Sequence, residues 1–557
     1  MSFEEKCSQY KSVCLNDRQL CDFEMIINKG FKPLVGFMTE KDYVNCLDNM
    51  RIGDNSLWPI PITLCIDEND KQKLQEETHI VLTHKTGLPL GIMKVESIYK
   101  WDIKRESENV FGVYDNNHPY INILEKYKSE NKYYNIGGEI VEWKKVPRYD
   151  FEQYRLDPNQ VKEYIHNNNL KNIIGFQTRN PMHRSHYYLT KYAMDQVDDD
   201  NVGVLIHPVV GITQDCDVEY HTRVRCYIKL LKNYSNNVKL CLLPLSMRMA
   251  GPREALWHAI IRKNYGCTHF VVGRDHAGPS YKKKNGESFF GPYDAHELVS
   301  KYKEEVGIEI ITSKFIVYAV HKETGEGIYK SIDQIDNNKY DVQMISGTKQ
   351  REMLNNNEKI PDWFTFPEIR TELEKSYVPK NKKGFCLYLY GLSGSGKTTI
   401  ANYLITKLKE IQYRKITYLD GDIVRNHLSK GLTFSKEDRS TNVRRIGYVS
   451  MEVVKHGGIS IVANIAPYKN DRQYNRNIIS QYGHYIEIFV DTSLKTCENR
   501  DVKGLYKLAR EGKITQFTGI SDPFEISDNS DIIIKENNTI KQNIEIIIKY
   551  LKTNNLI

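Results

Sequence analysis

The chain has 557 residues, of which 40% are hydrophobic and 27% charged, with 34 Gly and 18 Pro. This length suggests three or four domains, and the composition excludes collagen-like and wholly disordered classes. A formal net charge of +7 is too small for this length to describe a nucleic-acid binder, so anion specificity must come from local clusters.

No apolar run approaches the roughly 18 residues of a membrane span. The start, Met1-Ser2-Phe3-Glu4-Glu5-Lys6, has no basic stretch followed by an apolar core, so neither a membrane nor a secretory role is expected. The 11 cysteines never form Cys-x-x-Cys. Cys7, Cys14 and Cys21 recur every seven residues, but a run of small buried or half-exposed residues accounts for them. An odd count without a secretory signal fits a reducing, cytoplasmic setting.

In chain order, the first 150 residues lean towards β structure. Ile62–Ile66 and His79–Thr83 are β-branched runs, separated from their neighbours by turns such as Gly87-Leu88-Pro89. From about residue 170 the rhythm changes to short apolar runs with helix-like polar stretches between them. Ile173–Phe176, Val202–Ile206, Leu240–Leu243 and Phe270–Val272 predict a parallel α/β sheet. The stretch Asn355–Lys383, rich in Asn, Lys and Pro (Pro361, Pro367, Pro379), predicts a boundary. A second α/β unit follows, with strands at Phe385–Tyr390, Lys415–Leu419, Ile459–Ile465 and Tyr485–Val490.

Three clusters carry chemistry. Gln177-Thr178-Arg179-Asn180-Pro181-Met182-His183-Arg184-Ser185-His186 follows a predicted strand. His183 and His186 share one face of a helix start, and no third ligand has metal spacing nearby. Helix N–H groups, two imidazoles and Arg179 make a compact anion site instead. Gly273-Arg274-Asp275-His276-Ala277-Gly278-Pro279, again after a strand, suits a second phosphate contact. Between them lie His207–Gly211 and Met247–Ala255. These segments, with Gly36-Phe37-Met38 and Ile345-Ser346-Gly347-Thr348, resemble ATP sulfurylase over roughly residues 1 to 370.

That resemblance implies attack of a sulfate oxygen on the ATP α-phosphorus, with diphosphate leaving in line. It assigns Gln177, Arg179 and the Ala277 backbone to sulfate, and Thr178, Arg179 and Asn180 to catalysis. His183, His186 and Arg274 fall to the ATP phosphates, and Gly273, Asp275, His276 and Val317 complete the site. It further implies a PUA-like barrel for the β-rich N-terminal segment, beside a Rossmann-like nucleotidyltransferase domain.

The third cluster, Gly391-Leu392-Ser393-Gly394-Ser395-Gly396-Lys397-Thr398-Thr399, is a G-x-x-x-x-G-K-T phosphate loop between a predicted strand and helix. Its backbone N–H groups converge on phosphate, Lys397 reaches the β- and γ-phosphates, and Thr398 can ligate Mg²⁺. The next strand ends in Asp420-Gly421-Asp422, one carboxylate for the magnesium shell and one for an acceptor hydroxyl. Leu419–Arg425, Gly431–Ser435, Glu437-Asp438-Arg439, Asn442, Arg445-Ile446-Gly447, Asp501–Tyr506 and Phe517–Ile520 resemble adenylylsulfate kinase over residues 385 to 557. By that resemblance Asp422, Arg425, Phe434, Arg439, Asn442, Ile465, Lys503 and Phe517 contact adenylylsulfate, with Phe434 and Phe517 flanking its adenine. Where the family commonly has a serine, this chain has Ala466, which excludes a phosphoserine route and leaves direct transfer.

The expected architecture is a PUA-like domain (1–155), a sulfurylase domain (156–380) and a phosphate-loop kinase domain with a parallel sheet (381–557). Expected ligands are ATP with Mg²⁺, sulfate, adenylylsulfate and diphosphate, bound by a homo-oligomer. The expected function is two-step sulfate activation. The alternative is a sulfurylase whose kinase-like domain is regulatory, as in fungal sulfurylases.

Overall fold

The computed structural model describes all residues except 199–200, 215–216, 235–236, 313–314, 357, 378–381, 412–413 and 502. The chain forms two compact units, residues 1–347 with 360–376, and residues 348–359 with 377–557. Pro379 and the expected divide at 380/381 lie outside the described residues.

The first unit opens with a seven-stranded sheet built around the long strand Lys132–Trp143. Gly36–Phe37, Leu64–Asp67, Pro89–Lys94 and Ser97–Lys100 all pair with it in antiparallel fashion. Glycine is required where other chain segments cross this strand closely: a Cβ on Gly137 would lie 2.0 Å from the Met38 carbonyl oxygen.

A five-stranded parallel sheet follows, made of β1 (Asn172–Phe176), β2 (Val202–Ile206), β3 (Val238–Leu240), β4 (His269–Val272) and β5 (Glu309–Thr312). The spatial order is β3-β2-β1-β4-β5. β2 is buried at every position, as expected of a parallel strand covered on both faces. The order reverses between β1 and β4, so the loops after these two strands flank the crevice where α/β sheets bind ligands. Helix α1 (Arg184–Asp195) follows the β1 loop, and α2 (Gly251–Asn264) leads into β4.

The N-terminal sheet and this α/β sheet share one continuous core. Phe31 packs on both Trp58 and Trp257, with ring centroids 5.5 and 5.0 Å away, tying the N-terminal segment to α2. An antiparallel trio, Ile316–His321, Gly327–Ser331 and Tyr340–Gln343, carries a small cluster of Val317, Ala319 and Ile335.

Two expectations shift. Leu240–Leu243 is buried, but the strand ends at Leu240, and beyond it only Leu243 makes an isolated bridge, to Val209. The stretch 355–383 is not plain linker: Pro367–Ser376 is a helix with Ile369 and Leu373 buried four residues apart. Its Glu372 is ion-paired with Arg225 and Lys229, so it is part of the first unit.

In the second unit the sheet consists of β6 (Phe385–Tyr390), β7 (Ile416–Asp420), β8 (Ile459–Asn464), β9 (His484–Asp491) and β10 (Ile532–Lys535). It is parallel throughout, in the order β7-β8-β6-β9-β10. The fully buried central strand β6 delivers the phosphate loop to α3 (Lys397–Ile411), and β7 ends at Asp420, the N-cap of α4 (Gly421–Asn426). α5 (Lys436–Lys455) then crosses to β8.

Candidate functional site

The first site lies at the order reversal. A cavity of about 260 Å³ is lined by Gln177, Thr178, Arg179, Asn180 and His186 from the β1 side. Gly273, Arg274, Asp275, His276 and Ala277 line it from the β4 side. Two separate sequence clusters thus meet in one crevice.

Each side chain is held from behind. Thr178 Oγ1 donates to Asn180 O at 2.9 Å and accepts from Asn180 N, which closes the loop on itself. Tyr227 OH donates to Asn180 O at 2.8 Å, and Arg223 Nη1 donates to Arg179 O at 2.9 Å. The Arg179 guanidinium, 16% exposed, lies 3.6 Å from the buried Asp217 carboxylate. Asp275 and Ala277 both adopt positive φ (54° and 56°), a strained arrangement of the kind that gathers at ligand sites. Arg274 is exposed beside Asp275, 3.1 Å away.

The two histidines behave differently. His183 N–H donates to His186 Nδ1 at 3.1 Å, which puts the His186 proton on Nε2. Burial pushes that imidazole down to about 4, so it is a neutral hydrogen-bond donor at physiological pH. His183 is buried, with Nδ1 3.1 Å from Thr365 Oγ1 and its ring 4.4 Å from that of Phe364, and it does not line the cavity. Val317 points into its small cluster, while Phe315 and Ile316 beside it reach the cavity. Phe315, Ile316 and Leu189 escape sequence reading because apolar wall residues look like any core residue, whereas Met247 opens the Met247–Ala255 segment already singled out.

The second site surrounds the phosphate loop. Gly394 and Gly396 sit at φ 75° and 102°, and a Cβ on Gly396 would meet open space. Lys397 is 8% exposed, and its Nζ donates to Gly391 O (3.0 Å), Leu392 O (2.7 Å) and Ser395 Oγ (3.3 Å). Burial pulls this ammonium down to about 8. Tyr506 OH holds the loop from outside through Ser393 O, at 2.8 Å.

Thr398 Oγ1 donates to Asp420 Oδ2 at 3.1 Å, and Tyr418 OH donates to the same oxygen at 3.0 Å. A hydroxyl and a carboxylate oxygen in contact at a phosphate loop suit a hard divalent cation. Among the described residues no group of three or more His, Cys, Asp or Glu side chains could hold a metal. A cation here would therefore draw its other ligands from a nucleotide or water.

Among the residues expected to bind the acceptor, Lys503 Nζ forms an ion pair with Asp422 Oδ2. Arg439 is committed to Thr518 Oγ1 and Asp522 Oδ2, both at 2.8 Å. Asn442 is buried, and its Oδ1 has no hydrogen-bond partner among the described residues. Arg425 caps the ring of the exposed Phe434 at 4.4 Å. Phe517 is buried edge-on to Tyr506, with centroids 5.0 Å apart, and is not paired with Phe434 among the described rings. Ile465 is half-buried, and Ala466 follows it at φ 42°.

Fold and sites define a nucleotide-dependent transferase with two phosphate-handling units. Family profiles match residues 1–145 (PUA-like domain), 152–376 (ATP-sulfurylase) and 383–535 (Adenylylsulphate kinase). A sulfate adenylyltransferase of Mycosarcoma maydis is 44% identical over 94% of this chain and 90% of its own length. That of Coccidioides immitis (strain RS) is 42% identical over 99% and 95%. The chain belongs to the sulfate adenylyltransferase family, and it carries an adenylylsulphate kinase domain. A solved structure described as a hexameric APS kinase from Thiobacillus denitrificans superposes with a TM-score of 0.78, covering 100% of this chain and 95% of its own at 26% identity.

Proposed function

We propose that the chain activates sulfate in two steps: ATP and sulfate give adenylylsulfate and diphosphate, and a second ATP then phosphorylates the 3′-hydroxyl. The observation that carries this is the presence of two complete phosphate-handling sites in one chain, each at the carboxyl edge of its own parallel sheet. Nothing among the described residues favours the regulatory alternative for the second unit.

In the first site Gln177, Arg179 and the Ala277 backbone hold sulfate, while Thr178, Arg179 and Asn180 form the catalytic loop. Both reactants are anions, so placement and charge neutralisation carry the step. His186 Nε2–H donates to the phosphates, and Arg274 stands at the rim to meet the departing diphosphate. His183 acts through His186, by fixing its tautomer. Gly273, Asp275 and His276 shape the phosphate side, and Val317 supports the wall formed by Phe315 and Ile316.

In the second site Gly391, Ser393, Gly394, Ser395, Gly396 and Thr399 form and follow the loop that holds ATP, and Lys397 turns from loop carbonyls to phosphate. Bound with ATP, Mg²⁺ would neutralise charge on the phosphates, held on the protein side by Thr398 and Asp420. Asp422 takes the acceptor proton, oriented by Lys503. Arg425, Phe434, Arg439, Asn442, Ile465 and Phe517 bind adenylylsulfate; the unpaired Asn442 Oδ1 is ready to accept from it. Ala466 offers no hydroxyl, so transfer is direct.

Domain limits near 155 and 380, a cytoplasmic setting and a homo-oligomer complete the reading. No described helix is long and apolar enough to cross a membrane. Incubation with ATP, Mg²⁺, sulfate and pyrophosphatase tests it: the 3′-phosphorylated product is expected, and adenylylsulfate alone would reinstate the regulatory reading.

A further inference from the structure

Helix α2 is buried on nearly every side, yet it carries a polar stripe. Glu254, His258 and Arg262 are spaced four apart on one face, and each is 0% exposed. Each touches a different element of the first site. Glu254 accepts from Arg248 N (3.0 Å) and Ala250 N (2.8 Å), in the segment that carries the wall residue Met247. His258 Nδ1 lies 3.1 Å from His276 Nε2, in the loop after β4. Arg262 Nη2 donates to Gln177 Oε1, in the loop after β1, and to His207 O at 3.1 Å.

Among the described residues Arg262 lacks the counter-charge that Arg248 has. Arg248, in the same core, has both Asp22 carboxylate oxygens 2.7 Å away. Arg262 has no carboxylate partner among the described residues, and its Nε and Nη1 have no hydrogen-bond partner there either. The other guanidinium behind the β1 loop, Arg223, spends Nη1 on the carbonyls of Arg179 and Val209. The buried Asp217 beside this loop is already set against Arg179. A buried cation without a counter-charge is costly, and burial draws the Arg262 guanidinium down to about 10 while that of Arg248 is raised.

The clamp also fixes the Gln177 carboxamide. Its oxygen is taken by Arg262, so its NH₂ group remains as the donor, with only a long contact of 3.9 Å to Met247 Sδ. Gln177 lines the cavity, so that donor is available to an anion there.

We propose that Arg262 is a positioning residue for the oxyanion subsite: it turns the Gln177 carboxamide donor-outward, and the anion entering the cavity supplies its missing counter-charge. This rests on the reading of the cavity as the sulfate site.

The test uses the full chain, with melting temperature read in sodium sulfate and the uncleavable α,β-methylene-ATP, and pyrophosphate-release kinetics read in sodium sulfate and ATP. Arg262→Met is expected to raise the KM for sulfate about tenfold or more and leave the KM for ATP within about twofold. Its melting temperature without sulfate should equal or exceed that of the wild type, and the sulfate-induced rise should vanish. Arg179→Ala must also lose that rise. If it keeps the rise, the sulfate reading of the cavity fails. If Arg179→Ala loses it while Arg262→Met keeps both the rise and the sulfate KM, the positioning role is overturned. Gln177→Glu decides the counter-charge should Arg262→Met fold poorly. A carboxylate against the guanidinium should raise the melting temperature without sulfate and abolish the sulfate response, and a lower melting temperature would overturn the proposal.

Discussion

Raising the pH above 8 should weaken nucleotide binding to the second unit, through Lys397. This ammonium is 8% exposed and donates to three loop oxygens, yet burial still draws it from 10.5 to about 8. A displacement of that size corresponds to about 3 kcal/mol of penalty on the charged form. The unfolded chain keeps the proton up to pH 10.5, so without nucleotide the folded state gains stability as pH rises from 8 to 10.5. Binding has the opposite sign. Phosphates favour the charged lysine, so above pH 8 the protein must take up a proton when nucleotide binds. The association constant should then fall towards tenfold per pH unit above pH 8, a loss of about thirtyfold between pH 7 and 9.5.

Calorimetric titration of the full chain at pH 7 and 9.5, each in two buffers of different ionisation enthalpy, measures both affinity and proton uptake. Lys397→Met, titrated in parallel, gives the contribution of the first unit for subtraction. Uptake near zero at pH 7 and approaching one proton at pH 9.5 is expected. A flat affinity with no uptake at pH 9.5 would refute the reasoning.

Arg179→Ala should reduce sulfate-dependent pyrophosphate release about 10²- to 10³-fold while kinase activity on added adenylylsulfate stays near normal. Asp422→Asn should preserve ATP binding but slow 3′-phosphorylation, seen as a lower kcat at unchanged KM for ATP, because a carboxamide cannot take the acceptor proton as a carboxylate does. The first unit should lose stability in mild acid: burial pushes His118 and His186 from 6.5 down to about 4, so stability present above pH 6.5 is lost as pH falls towards 4. Each costs about 2 kcal/mol by pH 5, and a first-unit melting temperature unchanged between pH 7.5 and 5 would contradict this. A fragment beginning at Thr348 should melt higher than one beginning at Lys382, because residues 348–359 cluster with the second unit and bury Leu354. Equal melting curves would show that this segment contributes nothing.

The parts of this fold legible in sequence are those where local chemistry and topology agree. The phosphate loop follows Cys386–Tyr390 directly, and the structure makes that run the central buried strand. The Gln177–His186 and Gly273–Ala277 segments each follow an apolar run, and the strand order brings both runs to the same reversal. What sequence alone does not give is tertiary. The helix Pro367–Ser376 hides in a Pro- and Lys-rich stretch because its buried face is only Ile369, Glu372 and Leu373. Cys241–Leu243 looks like strand but is buried by the shared core instead. Arg262 escapes sequence reading although its stripe with Glu254 and His258 is visible at four-residue spacing. Between Glu254 and Arg262 every other residue of the helix is apolar except His258, and these three polar residues on one line are the available signal.

The two sites differ in a way their chemistry requires. Sulfate enters as a fully ionised nucleophile, so the first step needs no base; it needs donors, and it must not lose them to protonation equilibria. The cavity supplies guanidinium and amide donors. Of its two histidines, His186 is pushed far enough down to stay neutral, with its donor proton fixed on Nε2 by a backbone N–H. The acceptor of the second step is an alcohol, which must lose a proton as the phosphoryl group arrives. There the sheet edge presents Asp420, tied to Thr398 on the phosphate side, and Asp422, tied to Lys503 on the acceptor side. The proposed division of labour between these carboxylates rests on their partners. Asp420 is the cap of α4, fixed by the Asp422 N–H at 3.0 Å, whereas Asp422 is exposed and held by one flexible lysine. A carboxylate fixed by its cap suits a metal shell, and an exposed one suits a group that must meet its proton only when the acceptor is in place.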